Sequence, residues 1–338
     1  MKREGKPDWE NVPSSLRAKI EACIGEPVRA ADIVWGGFGP SATFVLTGES
    51  GARYFCKGTH PGQTPQGHAA LLRERYNYEH FPEIEAFGPR YIGGVDDGDW
   101  HMAVLDYVPR AQNVPPWVGD LADRTIALVA RFHKASPERA ARKLTPVQDL
   151  VGFNPFRVTE GWVSLAKIPE HQAQFAALFV DEDAAHLWLT ANGEPLAGME
   201  ARAETIGGPR SWLHLDIRSD NLVFAADGSV KLVDWPIFAY GPSLLDIAFF
   251  LPSLAGEGGP ACAESLRLYE REAGKAFDPE DVALAAVTVA GFFAARAGAP
   301  EIPVLPRLRW VQKLQLFPAL DWICQVLGLS PLPVPRPF

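Results

Sequence analysis

The sequence predicts an α+β chain, with a small N-terminal lobe of antiparallel β-sheet plus a helix, and a larger, mainly helical C-terminal lobe that carries one β-hairpin. Three observations predict it. Between about residues 30 and 60, short runs rich in β-branched and aromatic residues alternate with turn signals. From about residue 109 onward, helical spacing dominates. One stretch in that half, NLVFAADGSVKLVDW (221–235), reads as a hairpin instead, with Asp227-Gly228 as its turn. The boundary falls near residue 107, giving lobes 1–107 and 108–338.

In chain order, residues 8–24 have the pattern of a short helix. ADIVW (31–35), ATFVLTG (42–48) and ARYFCKG (52–58) read as strands, separated by GGFGPS (36–41) and by the turn Glu49-Ser50-Gly51. HAALLRERYNYEHF (68–81) has helical spacing, and HMAVLDYV (101–108) reads as another strand. Trp117–Ala135 sets Leu121, Leu128, Val129 and Phe132 on one stripe. Residues 171–191 and 197–206 look helical, stopping at Asn192-Gly193 and Gly207-Gly208. Helices follow at 243–254, 261–274, 279–297 and 306–328, the last with a kink expected at Pro318. The proline-rich tail SPLPVPRPF is expected to be extended.

Composition excludes several classes. The chain has 338 residues, 47% apolar and 22% charged, an ordinary globular balance. A net charge of −9 argues against nucleic acid as a partner, since such proteins carry a basic face. The four cysteines, Cys23, Cys56, Cys262 and Cys324, form no C-x-x-C pair and suggest free thiols in a reducing cytoplasm. The opening MKREGKPDWENVPSS is polar, not leader-like. The longest charge-free apolar run, Val282–Ala295, has 14 residues, too few to span a bilayer. No membrane association and no protein partner is implied.

The residues that carry chemistry cluster in a few places. A two-residue loop at Asp227-Gly228 would set Asn221 opposite Asp234, where an amide oxygen and a carboxylate can share magnesium. An exposed polar pair at the open end of a hairpin is the plainer alternative. HLDIRSDN (214–221) places His214, Asp216, Arg218 and Asn221 just before that hairpin. In GGFGPS, Gly37 and Gly39 let backbone N–H groups approach phosphates, with Ser41 beside them. It is not a Walker A loop, because no Gly-Lys-Ser/Thr follows. Lys57 lies on the next strand, and Glu74 follows 17 residues later in the helix. Such a pair can hold an ammonium against phosphates, with Glu79 as the competing partner and Glu74 preferred.

These elements, in this order, resemble the protein-kinase-like fold, which is bilobal, and within it the aminoglycoside phosphotransferase and choline kinase branch of small-molecule kinases. The resemblance rests on His214-x-Asp216-x-x-x-x-Asn221, then Val233-Asp234-Trp235, then Gly241-Pro242 and Asp246, and it spans residues 30–255. It implies that Asp216 orients and deprotonates an acceptor hydroxyl, while Asn221 and Asp234 bind Mg2+. Lys57, held by Glu74, would position the phosphates of ATP or GTP. The backbone at Asp106 and Val108 would bond the purine, with Val223 packed beneath it. Arg218 would meet the transferring phosphate, and His214 and Asp246 would brace the catalytic loop. Leu215 departs from the glycine common at its position, and Ala42 stands where the glycine loop would carry a third glycine.

The resemblance implies a phosphotransferase whose acceptor is a hydroxylated small molecule. An antibiotic is the first choice and a primary metabolite, such as a sugar or amino alcohol, the second. A catalytically silent nucleotide-binding fold is a third reading. A protein kinase is disfavoured, since only eight residues separate Asp234 from Ser243 and no A-P-E follows. Residues 151–205 carry eight acidic residues against three basic ones, which suits an amine-bearing acceptor. Phe153, Phe156, Trp162, Phe175, Phe179 and Trp188 in that segment are candidates to stack on it.

Overall fold

The computed structural model describes residues 5–35, 37, 39–136, 144–149 and 161–337. It divides into two compact units. The first comprises Met1–Asn113, Asp220–Ile237 and Pro303–Pro306, so it extends past residue 107 and includes the hairpin that the sequence reading assigned to the second lobe. The second comprises Val114–Ser219, Phe238–Ile302 and Arg307–Phe338.

In the first unit, an antiparallel sheet has the order β1-β2-β3-β5-β4. Its strands are β1 (Val28–Ile33), β2 (Ala42–Gly48), β3 (Arg53–Thr59), β4 (Tyr91–Asp97) and β5 (Trp100–Asp106). Helix α1 (Ser14–Ile24) buries Leu16 and Ile20 in one cluster with Phe44, Leu46, Met102 and Val104. Helix α2 (Pro65–His80) starts on Thr64, whose hydroxyl accepts the Gly67 N–H, with proline in its first turn. β4 was not expected, because its YIGGVDD pattern is thinned by two glycines. Both are closely approached by side chains: a Cβ on Gly94 would fall 2.2 Å from Arg75 Nε, and one on Gly93 2.8 Å from Cys23 Sγ.

The hairpin corrects the expected register. β8 (Leu222–Ala225) and β9 (Val230–Leu232) pair Leu222 with Leu232 and Phe224 with Val230. The loop has three residues: Ala225 N–H donates to Ser229 O (2.8 Å), and Gly228 sits at φ +82°. A turn closed by a left-handed glycine adds one residue to the two-residue type. The pairing therefore shifts by one, and Asn221 lies opposite Val233 rather than Asp234, with Val233 N–H donating to Asn221 O (3.0 Å). A short strand, β6 (Arg110–Gln112), completes this sheet on the β8 side.

The second unit is mainly helical: α3 (Leu121–Lys134), α4 (Gly161–Lys167), α5 (Pro169–Ala176), α6 (Glu182–Glu200), α7 (Ser243–Gly256), α8 (Cys262–Ala273), α9 (Pro279–Ala297) and α10 (Leu308–Leu327). A two-stranded sheet of β7 (Arg210–Leu213) and β10 (Ala239–Pro242), also unexpected, leads into residues 214–219. α6 runs straight through Asn192-Gly193, where a stop was expected. Asn192 Nδ2 donates to Trp188 O one turn back (2.8 Å), and Trp188, Leu189 and Leu196 hold a buried stripe across the site. Packing of that face outweighs the local stop signal. Pro318 lies inside α10. The proline-rich tail is tied down: Val180 N–H donates to Val334 O and Arg336 N–H to Leu178 O, each at 2.8 Å.

Candidate active site

In the first unit, Lys57 is the centre of the site. It sits on β3 with its Nζ 2.8 Å from Glu74 Oε2 and 2.5 Å from Asp234 Oδ1. Glu79, the other candidate, instead takes Arg75 (2.8 Å) and the Tyr91 hydroxyl (2.7 Å). Helix geometry explains the choice, since Glu74 and Asn77 are three apart and share a face. Glu74 Oε1 accepts the Trp235 N–H (3.3 Å), and Asn77 Nδ2 donates to Trp235 O (2.7 Å). One face of α2 thus grips both Lys57 and the residue after Asp234. Neither Asn77 nor this grip was anticipated; an asparagine one turn after the ion-pair glutamate is the signal that was there.

Burial pulls the Lys57 ammonium down, but Asp234 and Glu74 outweigh it and the net shift is upward. Burial pushes the Glu74 carboxyl up, against the pull of Lys57. One ammonium thus faces two acidic side chains. Asp234 adopts φ +68°, a left-handed conformation uncommon outside glycine. Its backbone is held by neighbours on both sides, through Val233 and Trp235.

The remaining candidates in this unit lie as follows. Gly37 has φ +69°, and among the described residues a Cβ on Gly39 would meet Ser41 Oγ at 3.6 Å. Gly36 and Phe38 lie outside the described residues. Ser41 Oγ accepts from Gln63 Nε2 (3.4 Å). Asp106, at the end of β5, forms a bidentate pair with Arg90 (2.8 and 2.9 Å), and Val108 follows it half-buried. Val223 is buried in β8 opposite Lys231. Asn221 is buried at the start of the hairpin.

In the second unit, the segment 214–219 is anchored at its start. Asp246, in the first turn of α7, accepts the N–H groups of His214 (Oδ2, 2.9 Å) and Leu215 (Oδ1, 2.6 Å). Leu215 has φ +58°, so the glycine expected there answers to a backbone need, which this chain meets with a buried leucine held by Asp246. His133 Nε2 lies 3.1 Å from the same carboxylate, and its Nδ1 lies 2.7 Å from the Tyr269 hydroxyl. Burial, with the Asp246 charge adding to it, pushes the Tyr269 phenol up to about 12. His133 thus links the Asp246 carboxylate to the Tyr269 hydroxyl. His214 Nδ1 accepts the Asp216 N–H (3.3 Å), and Arg218 Nη1 lies 3.2 Å from Asp216 Oδ1.

The aromatic residues expected to stack on an acceptor are core instead. Trp162, Phe175, Phe179 and Trp188 are buried and pack on one another. They fall on the apolar faces of α4–α6 and of the turn between α5 and α6. Phe153 and Phe156 lie outside the described residues. Part of the acidic charge is also committed: Asp181 caps α6 (2.9 Å to Ala184 N), and Glu182 pairs with Arg336 (2.5 Å). Buried Glu200 accepts the first N–H groups of α4, those of Gly161, Trp162 and Val163.

A lysine on a sheet strand thus meets a helix glutamate and a carboxylate that follows a hairpin, within one compact unit. The chain belongs to the phosphotransferase enzyme (APH) family, whose model matches residues 32–284. It is a small-molecule phosphotransferase of α+β, protein-kinase-like fold. Among solved structures, it is similar to an aminoglycoside-3'-phosphotransferase of type VIII (21% identity, 83% of this chain and 100% of that one, TM-score 0.51). It is similar also to choline kinase LicA from Streptococcus pneumoniae (14% identity, 94% and 98%, TM-score 0.57). A third is spectinomycin phosphotransferase APH(9)-Ia, solved with ADP and spectinomycin (13% identity, 90% and 93%, TM-score 0.53). At these identities the likeness concerns the fold. None of the curated proteins matches the chain. Among the described residues, no helix is long and apolar enough to cross a membrane.

Proposed function

We propose that this chain moves the γ-phosphate of ATP or GTP to a hydroxyl of a small molecule, and that the acceptor is a hydroxylated antibiotic. The observation that carries the reading is Lys57, within 3 Å of both Glu74 and Asp234. Magnesium fits this site on the chemistry of its donors, since Asp234 and Asn221 offer the oxygen ligands that a hard cation prefers. Among the described residues, no three His, Cys, Asp or Glu side chains gather as a metal cluster. A magnesium ion would take Asp234 and Asn221 and draw its other oxygen ligands from phosphate and water. When bound, it would supply positive charge against the phosphates.

The chain's own groups do the rest. Lys57 holds the α/β-phosphates, with Glu74 fixing its direction. Gly37, Gly39 and Ser41 offer backbone and hydroxyl donors to phosphate, and Asp106, Val108 and Val223 receive the base. Asp216 accepts the proton of the attacking hydroxyl, and Arg218, its neighbour at 3.2 Å, offers a planar fork to the transferring phosphoryl group. Catalysis here is mostly positioning and charge stabilisation.

The similar folds named for aminoglycosides and spectinomycin support an antibiotic as the acceptor, and the choline kinase supports a primary metabolite as the second reading. Four free cysteines support a reducing compartment, the cytoplasm. The test is a panel of hydroxylated antibiotics and metabolites, read by magnesium-dependent nucleotide consumption with the purified protein. Consumption stimulated by a member of the panel supports the reading. No stimulation by any member, alongside intact magnesium-nucleotide binding, favours a binding-only fold.

A further inference from the structure

Ser219 closes the segment 214–219, one residue after Arg218, and is buried. Its hydroxyl donates to Glu257 Oε1 at 2.6 Å, while Trp117 Nε1 donates to Glu257 Oε2 at 3.1 Å. Glu257 is the C-cap residue of α7, the helix whose first turn carries Asp246. One helix therefore ties this segment at both ends, through Asp246 at His214 and Leu215 and through Glu257 at Ser219.

Tied at both ends to the same helix, the stretch that carries Asp216 and Arg218 is confined between the two ties. Without the Glu257 bond the tie one residue after Arg218 would be lost.

We propose that Glu257 is a positioning residue for phosphoryl transfer, acting through Ser219 on the loop that carries Asp216 and Arg218. The Trp117 indole aims the carboxylate by occupying its second oxygen. The hydrogen bond from a buried hydroxyl to a charged acceptor is of the stronger kind. The proposal rests on the reading of Asp216 as the group that accepts the hydroxyl proton.

The test compares wild type with Glu257→Gln, Ser219→Ala and the double variant, with Asp216→Asn as the control. Turnover is read as magnesium-ATP consumption, with water or any acceptor from the panel. Amide hydrogen exchange over 214–219 is read in parallel. Each single variant is expected to lower kcat roughly tenfold, as a misplaced reacting group does. The double variant should fall no further, the magnesium-ATP KM should stay within about twofold, and the loop amides should exchange faster. A merely structural glutamate would lower stability without this split between kcat and KM. Wild-type kcat in Glu257→Gln, losses that multiply in the double variant, or unchanged loop exchange each overturns the proposal. Failure of the underlying reading shows separately, as wild-type turnover in Asp216→Asn.

Discussion

Lys57 Nζ lies 2.5 Å from Asp234 Oδ1, joining a strand of the five-stranded sheet to the residue that follows the hairpin. The contact brings a cation and a carboxylate together where the nucleotide phosphates and their metal are proposed to sit. Asp234→Ala should therefore remove magnesium-dependent nucleotide binding, and Asn221→Ala should weaken it less, because the carboxylate carries the charge. Calorimetric titration of each variant with magnesium and ATP reads this directly. Unchanged affinity in Asp234→Ala would place the metal elsewhere.

Glu74 has two acceptor oxygens and two donors, Lys57 and the Trp235 N–H. In Glu74→Gln an amide NH2 must face one of those donors. The variant should raise the nucleotide KM about tenfold and lower stability by about 1–3 kcal/mol, the cost of a frustrated buried hydrogen bond. Glu79→Gln should leave the nucleotide KM unchanged, since Glu79 serves Arg75 and Tyr91. Steady-state kinetics with urea unfolding of both variants checks the pair, and the reverse ranking would assign the lysine's partner wrongly.

Burial holds the Glu200 carboxyl up, to about 7 against an ordinary value of 4.5, although three N–H groups of α4 and Arg296 favour its charge. The folded state thus keeps a proton that the unfolded chain releases. Stability from this group is full below pH 4.5, falls as pH rises, and is lost by about pH 7, for a total of about 3 kcal/mol. Urea midpoints measured from pH 4.5 to 7.5 should fall across that window in wild type and lose this component in Glu200→Gln. A midpoint difference between the two proteins that does not vary with pH would count against it.

The sequence carried the fold's order because strand, helix and hairpin signals are local. The Lys57–Glu74 pair was legible from its spacing, whereas the roles of Asp216, Asn221 and Asp234 came from the family resemblance. The details that depend on tertiary packing were not. The register of Asn221 turned on whether the loop at Asp227-Gly228 held two residues or three, and Gly228 in a left-handed conformation decided it. β4 was hidden by two glycines against which the side chains of Cys23 and Arg75, distant in sequence, pack closely. The brace of His133, Tyr269 and Asp246 joins three helices, and no spacing rule reports such a set. Aromatic residues in 161–188 looked available for an acceptor, yet helix faces committed them to the core.

The central claim is that Asp216 accepts the proton of a hydroxyl being phosphorylated. The most direct measurement follows transfer from γ-labelled ATP, with magnesium, to an acceptor identified in the panel, in wild type and in Asp216→Asn. The expected result is a labelled phosphomonoester in wild type and a loss of about 10²–10⁴-fold in the variant, with magnesium-ATP affinity nearly intact. Transfer in Asp216→Asn within about threefold of wild type, well inside that range, would contradict the account.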